Sequence, residues 1–225
     1  LPALSTNLRD RENSQYTEAV KNTVLTDTIQ ITRLNAFIGK TVTITGTLYD
    51  KAVGQPLTIN GKTVTASTTL NVTSETGEVK NIFTFDAAGM QGKTVVATES
   101  ILVDGKEIAS HKDLNDTEQM VFFPKISTIL YQDANGDKTA NDGEKIIAFG
   151  LDKNGKPVQA ADDTKAFDTN VTLTDQVIYE NLAPSKVYEV TGKLMKVNAD
   201  GSLTDTGIRS TDTSFTTGAA TGGNL

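Results

Sequence analysis

The chain's only histidine stands in a dense polar run, H-x-D-x-x-D-x-x-Q over residues 111–119, made by His111, Asp113, Asp116 and Gln119. Imidazole is the usual general base near neutral pH. A carboxylate two residues along a strand lies on the same face as the ring, so Asp113 is expected to orient His111 as the acid does in a Ser-His-Asp arrangement. The nucleophile would then be a hydroxyl, because the chain has no cysteine and Thr is abundant. The plainer reading of the run is a solvated, charged turn leading into a last strand. A second acidic run starts at Asp133. Asp133, Asn135, Asp137, Thr139 and Glu144 fall at the first, third, fifth, seventh and twelfth places of a calcium-loop pattern. Gly136 at the fourth place and Lys138 at the sixth, where Gly is expected, depart from it. Bound calcium and a simple Asn-Gly turn in an acidic hairpin are both open.

These residues need strands to position them. Thr, Val and Ile make up 66 of the 225 residues, and β-branched side chains suit a pleated surface better than a helix. The hydrophobic period is two almost throughout: Val42, Ile44 and Leu48 alternate with polar residues in KTVTITGTLYD. Further strands are expected at 22–31, 63–72, 81–85, 93–99 and 119–123. Asn60-Gly61 and Asp104-Gly105 between them are hairpin-turn dipeptides. One helical turn, at 86–90, is expected. Short strands at this spacing indicate an all-β fold, immunoglobulin-like β-sandwich domains in tandem.

The tandem rests on an internal repeat. Pro2, Leu4, Ser5 and Thr6 recur as Pro124, Ile126, Ser127 and Thr128; Thr26-Asp27 recurs as Thr174-Asp175; Thr45-Gly46 and Leu48 recur as Thr191-Gly192 and Leu194. The second copy carries extra residues between its first strand and its Thr-Asp strand, and nothing in it answers to residues 81–123. Residues 1–123 therefore read as a complete domain, and 124–225 as a C-terminally truncated copy with an inserted acidic loop.

Composition narrows the function. A net charge of −7 argues against nucleic-acid binding, which needs cations on phosphates. No apolar run approaches the ~18–20 residues of a membrane helix. Without cysteine there is no disulfide framework and no thiolate site. The N-terminus, LPALSTNL, lacks a signal-peptide pattern.

The ordered blocks L-S-T (4–6), T-D-T-I (26–29), V-T-I-T-G-T-L-Y-D-K (42–51), F-T-F-D-A-A-G (83–89), G-K-T-V-V-A-T-E (92–99) and H-K-D-L-N-D-T-E-Q (111–119) resemble the VaFE-repeat, intramolecular ester-bond domains of Gram-positive surface adhesins. The resemblance covers nearly all of 1–123 and the first half of the pattern in 124–225. In that family a first-strand Thr attacks the side-chain amide of a last-strand Gln, ammonia leaves, and an ester ties the terminal strands. The resemblance implies Thr6 as nucleophile, Gln119 as acyl partner and His111 as base. It implies Asp27 and Glu99 as an acid pair sharing a proton. Asp113 is expected to orient His111, and Asp116 to cap the turn. The family's Val-x-Phe-Glu block is here Val-Ala-Thr-Glu, without the aromatic beside Glu99. Ser5 and Thr6 point to opposite faces of a strand, so only one can react. Thr128 and Asp175 form a half-site in the second copy and are expected to stay unlinked within this chain.

The reading that follows is a structural stalk module: a monomer that needs no cofactor, performs one autocatalytic turnover and has neighbouring repeats of the same surface protein as partners. Its location would be extracellular, on the cell wall. The host ligand is not readable. Two alternatives are a module that binds a host protein or glycan and a hydrolase using Thr6 and His111.

Overall fold

The computed structural model describes all residues except 134, 141–144, 147, 148, 152–156, 160–171, 212, 220 and 221. The chain divides after Pro124 into two compact units, Leu1–Pro124 and Lys125–Leu225.

The first unit is built from eleven strands: β1 (Ala3–Arg9), β2 (Thr23–Thr32), β3 (Thr41–Asp50), β4 (Gln55–Pro56), β5 (Thr58–Ile59), β6 (Lys62–Thr63), β7 (Thr65–Asn71), β8 (Gly77–Phe85), β9 (Thr94–Val103), β10 (Lys106–His111) and β11 (Met120–Phe122). One sheet has the order β1-β2-β8. In the other, β3 pairs with β9 on one side and with β7 and β4 on the other, while β10 and β11 share the far edge of β9. All these ladders are antiparallel. Alternation does the layering. In β2 the pattern buries Leu25, Asp27, Ile29 and Ile31, and in β3 it buries Val42, Ile44 and Leu48. The inward faces of both sheets meet in two apolar clusters, one around Leu8, Leu25, Leu48, Phe83 and Val95, the other around Ile29, Ile44, Val79 and Ile101. Burying each such side chain contributes roughly 1.5–3 kcal/mol. The result is an immunoglobulin-like, two-sheet sandwich.

The hairpin dipeptides turn where expected: Asn60 and Gly61 have φ of 51° and 77°, and Asp104 and Gly105 have 50° and 75°, the double positive φ of a type I′ turn. The helix expected at 86–90 is instead a turn closed by one bond, Met90 N–H to Ala87 O. Two short 3-10 segments occur elsewhere, at Asn35–Phe37 and Thr117–Gln119.

The second unit is also all strand where described. Lys125–Gln132 pairs with Thr174–Glu180, which pairs in turn with Gly223–Asn224; Val187–Val190 pairs with Thr213–Thr216, and Lys193–Val197 with Leu203–Arg209. Among the described residues no helix is long and apolar enough to cross a membrane.

Candidate functional site

β1 runs along the edge of its sheet, with Thr6 and Leu8 buried and Ser5 and Asn7 exposed. Pleat alternation therefore selects Thr6 over Ser5 as the inward hydroxyl. Leu8 lies opposite Asp27 on β2, and Asp27 lies opposite Asn81 on β8. In the facing sheet, Glu99 on β9 pairs with Gly46 on one side and His111 on the other. β10 ends at His111. The chain then leaves the edge, turns through Thr117–Gln119 and returns as β11 with Met120 opposite Val96. Gln119 sits at this break in the last strand, fully buried. β1 packs against β10, β11 and the 3-10 turn, so the first strand and the broken last strand close the same side of the sandwich.

Asp116, expected to cap the turn, and three side chains that sequence patterning did not single out, Arg9, Gln15 and Tyr16, hold the break in place. Asp116 caps the 3-10 turn, its Oδ1 accepting from Glu118 N–H at 3.0 Å, while its Oδ2 lies 2.8 Å from His111 Nε2. This corrects the role expected for Asp113. The same-face rule holds only within a strand, and the strand stops at His111. The following turn, with Asp116 N–H bonded to Asp113 O, carries Asp113 away and swings Asp116 back to the ring. Asp113 Oδ1 accepts from Asn115 N–H. Arg9 clasps the turn from β1: Nη1 donates to Glu118 O at 3.0 Å and Nη2 meets Glu118 Oε2 at 2.5 Å. Gln15 Nε2 donates to Thr117 O and Met120 O at 2.6 and 2.9 Å, and Tyr16 stacks on Phe122 with ring centroids 5.0 Å apart. The Arg9, Gln15 and Tyr16 contacts join residues more than a hundred positions apart, so no local pattern marks them.

The pocket is dry and its polar atoms are short of partners. Thr6 is 8% exposed, Glu99 and Asn81 are 1%, and Asp27 and Gln119 are 0%. The absent aromatic beside Glu99 thus leaves no opening to water. Gln119 Nε2 donates to Asp27 Oδ1 over a long 3.4 Å. Apart from the proton that Asp27 and Glu99 share, Thr6 Oγ1, Asp27 Oδ2, both polar atoms of Asn81, both carboxyl oxygens of Glu99 and Gln119 Oε1 are buried with no hydrogen-bond partner among the described residues. Each such atom costs roughly 1–3 kcal/mol. Native structures keep few of them, and in this unit all belong to one site.

Burial pushes both acids upward. Desolvation first, then the proton shared with Asp27 and the charge of Asp27, raise Glu99 to about 11. Desolvation raises Asp27 to about 6, opposed by the proton shared with Glu99, the charge of His111 and the bond from Gln119. Two close carboxyls cannot both ionise cheaply. The pair therefore holds one proton and one negative charge at neutral pH. These contacts link the Gln119 carboxamide and the Asp27–Glu99 acid pair, all buried, with the partly exposed His111–Asp116 pair beside them, and the buried Thr6 hydroxyl faces inward from β1, which packs against the turn that carries Gln119.

In the second unit Leu130 faces Asp175 and Thr128 faces Val177, the same register in which Leu8 faces Asp27 and Thr6 faces Ile29. Thr128 and Asp175 are exposed and line an open cavity of about 330 Å³ with Leu130, Leu194, Met195 and Ile208; among the described residues no Gln or His lines it. In the acidic run, Asp133 accepts from Gly136 and Lys138 N–H, Asn135 from Asp137 N–H and Asp137 from Thr139 N–H. These side chains close their own loop. Glu144 lies outside the described residues, and among the described ones no group of three or more His, Cys, Asp or Glu could hold a metal.

The sequence matches the model of the T-Q ester bond containing domain twice, over residues 2–123 and 124–224, and the chain belongs to that family. A search of curated proteins finds no match. Among solved structures, a bacterial adhesin from Mobiluncus mulieris containing intramolecular disulfide, isopeptide and ester bond cross-links aligns at 11% identity and TM-score 0.49, over 98% of this chain and 95% of that one. A DUF4466 family protein from Parabacteroides merdae aligns at 9% identity and TM-score 0.33, over 87% and 75%. Membership rests on the family match.

Proposed function

We propose that the first unit joins Thr6 to Gln119 through an intramolecular ester, once and autocatalytically, and that the cross-linked unit serves as a stalk module of a bacterial surface adhesin. Thr6 Oγ attacks the Gln119 side-chain carbonyl carbon. His111, held by Asp116, takes the hydroxyl proton, and Glu99 gives its proton to the departing nitrogen. The C–N bond breaks as the C–O bond is made, ammonia leaves, and the proton on His111 returns to Glu99. The pocket supplies proximity, worth ~7–11 kcal/mol of barrier in well-oriented cases. Exclusion of water protects the product.

The observation that carries this reading is the cluster of buried, unpartnered atoms that contains both reacting groups, Thr6 Oγ1 and Gln119 Oε1, in a chain of the ester-bond family. The stalk role follows from mechanics. A covalent tie between the first and last strands lets pulling force bypass the sandwich between them, as a disulfide would in a chain that has cysteine. An exported module anchored to the cell wall of a Gram-positive bacterium is the setting where that matters. Intact mass of the purified chain tests the chemistry: a deficit of one ammonia, abolished in Thr6→Ala and in Gln119→Ala, is expected, and an unaltered mass in folded protein overturns it.

A further inference from the structure

Asn81 is buried at the centre of β8, and neither its Nδ2 nor its Oδ1 has a hydrogen-bond partner among the described residues. It is the register partner of Asp27, so the two side chains stand side by side on the inward face, with Cβ atoms ~5 Å apart. Its amide also reaches the opposite sheet. A Cβ added at Gly46 would lie 3.0 Å from Asn81 Nδ2 and 2.7 Å from Phe83 Cζ, and Gly46 is the register partner of Glu99. Glycine at this position is what leaves room for the amide beside the acid pair. A primary amide buried here without partners is costly, and apolar packing alone would be served better by Leu.

Besides the proton it shares with Glu99, Asp27 has one N–H donor, Gln119 Nε2, on Oδ1; Oδ2 has no N–H donor among the described residues. In the reaction proposed above, that nitrogen departs as ammonia, and the ester left behind has no N–H to replace it. Asn81 is the neighbouring side chain with a spare N–H, and the broad χ2 torsion of Asn lets the amide turn toward Oδ2 at little cost.

We infer that Asn81 is a positioning residue for ester formation: its amide donates to the Asp27 carboxylate as the Gln119 nitrogen leaves and stays as that carboxylate's donor in the cross-linked product. This rests on the Thr6–Gln119 reading. The charged or titratable groups facing Asp27 are Glu99 from β9, His111 from β10 and Asp116 from the turn after it. Asn81 is the neutral donor among them, and it favours the ionised form of Asp27.

The test is cross-linking kinetics of the full chain, recovered unlinked in urea and refolded by dilution into buffers from pH 5 to 9, with ammonia loss read by intact mass. Asn81→Leu, of similar size without the amide, is expected to slow cross-linking about tenfold or more. It is also expected to move the acid limb of the rate profile upward by about one pH unit. Asn81→Ser, which keeps a donor, should recover part of both effects. Should Asn81→Leu fail to fold, Asn81→Asp keeps the shape and places a third carboxyl beside Asp27, and a still larger upward move of the acid limb is expected. Wild-type rates and profiles in these variants overturn the inference. So does uniform slowing at every pH with no rescue by Ser, which marks a purely structural role. If wild type itself loses no ammonia, the Thr6–Gln119 reading falls and this inference with it; if wild type cross-links and the variants match it, this inference alone falls.

Discussion

Gln119 Nε2 donates to Asp27 Oδ1 over 3.4 Å, joining the break in the last strand to the middle of the second strand across 92 positions of sequence. The bond is long, fully buried and made by the nitrogen that the proposed reaction expels. It holds the amide nitrogen beside a carboxylate and leaves Gln119 Oε1 without a hydrogen-bond partner among the described residues. Ground-state binding here is weak, which suits a site whose interactions strengthen as the reaction proceeds.

Loss of the cross-link should be felt mainly as stability. The ester would close a loop of more than a hundred residues, which the chain-entropy model values at ~4–5 kcal/mol if it transfers from disulfides. Thr6→Ala and Gln119→Ala should each lower the melting temperature of the first unit by roughly 15–25 °C, measured by calorimetry. The wild-type deficit should be one ammonia, not two, because no Gln among the described residues lines the cavity beside Thr128.

Asp116 and Asp113 separate cleanly. Asp116→Asn keeps a good cap for the 3-10 turn but removes the carboxylate from His111, so cross-linking should slow about tenfold or more with the melting temperature of an unlinked background little changed. Asp113→Asn should leave the rate within about twofold of wild type. Time courses of ammonia loss in the two variants check this.

Arg9→Ala should uncouple rate from stability. A partly exposed ion pair is worth ~0–1 kcal/mol, so in the Thr6→Ala background it should cost no more than that. The clasp nonetheless fixes the turn that carries Gln119, and a displacement on the order of 1 Å at a reacting group can cost about a hundredfold in rate. Cross-linking should therefore slow by at least about tenfold while denaturant midpoints barely move.

The acid pair gives the unlinked fold a pH dependence of definite sign. Asp27 and Glu99 have folded-state values raised above their ordinary 3.8 and 4.5, so the folded state binds more protons than the unfolded one and stability falls as pH rises above about 4. Asp50, held below its usual value by Lys93 despite opposing desolvation, acts the other way, but its contribution is complete above about pH 4. Between pH 5 and 8 the buried acids decide, and the Thr6→Ala chain should melt at a lower temperature at pH 8 than at pH 5. A melting temperature that rises over this interval contradicts a proton held by the buried Asp27–Glu99 pair.

Much of this was legible in the residues. Alternation in β2, β3 and β8 and the paired turns at 60–61 and 104–105 state a sandwich directly. The blocks from Thr6 to Gln119 carry the family. What patterning missed was set by the break in the last strand. The same-face rule pointed to Asp113 because it assumes the strand continues past His111; the turn hands the partnership to Asp116. Arg9 and Gln15 act over more than a hundred positions, and a lone Arg or Gln on an edge strand or loop carries no signal of where it will reach. Asn81 reads as one polar residue in an alternating strand, and only its inward phase, the same that buries Val79 and Phe83, hints that it is misplaced.

The central claim is a bond between two atoms, and peptide-level mass spectrometry tests it most directly. Proteolysis of the folded wild-type chain should yield one branched species in which the peptide bearing Thr6 is joined to the peptide bearing Gln119, lighter than their sum by one ammonia and split by mild base into a Thr peptide and a Glu-containing peptide. Recovery of both peptides separate and unmodified from well-folded protein would contradict the account.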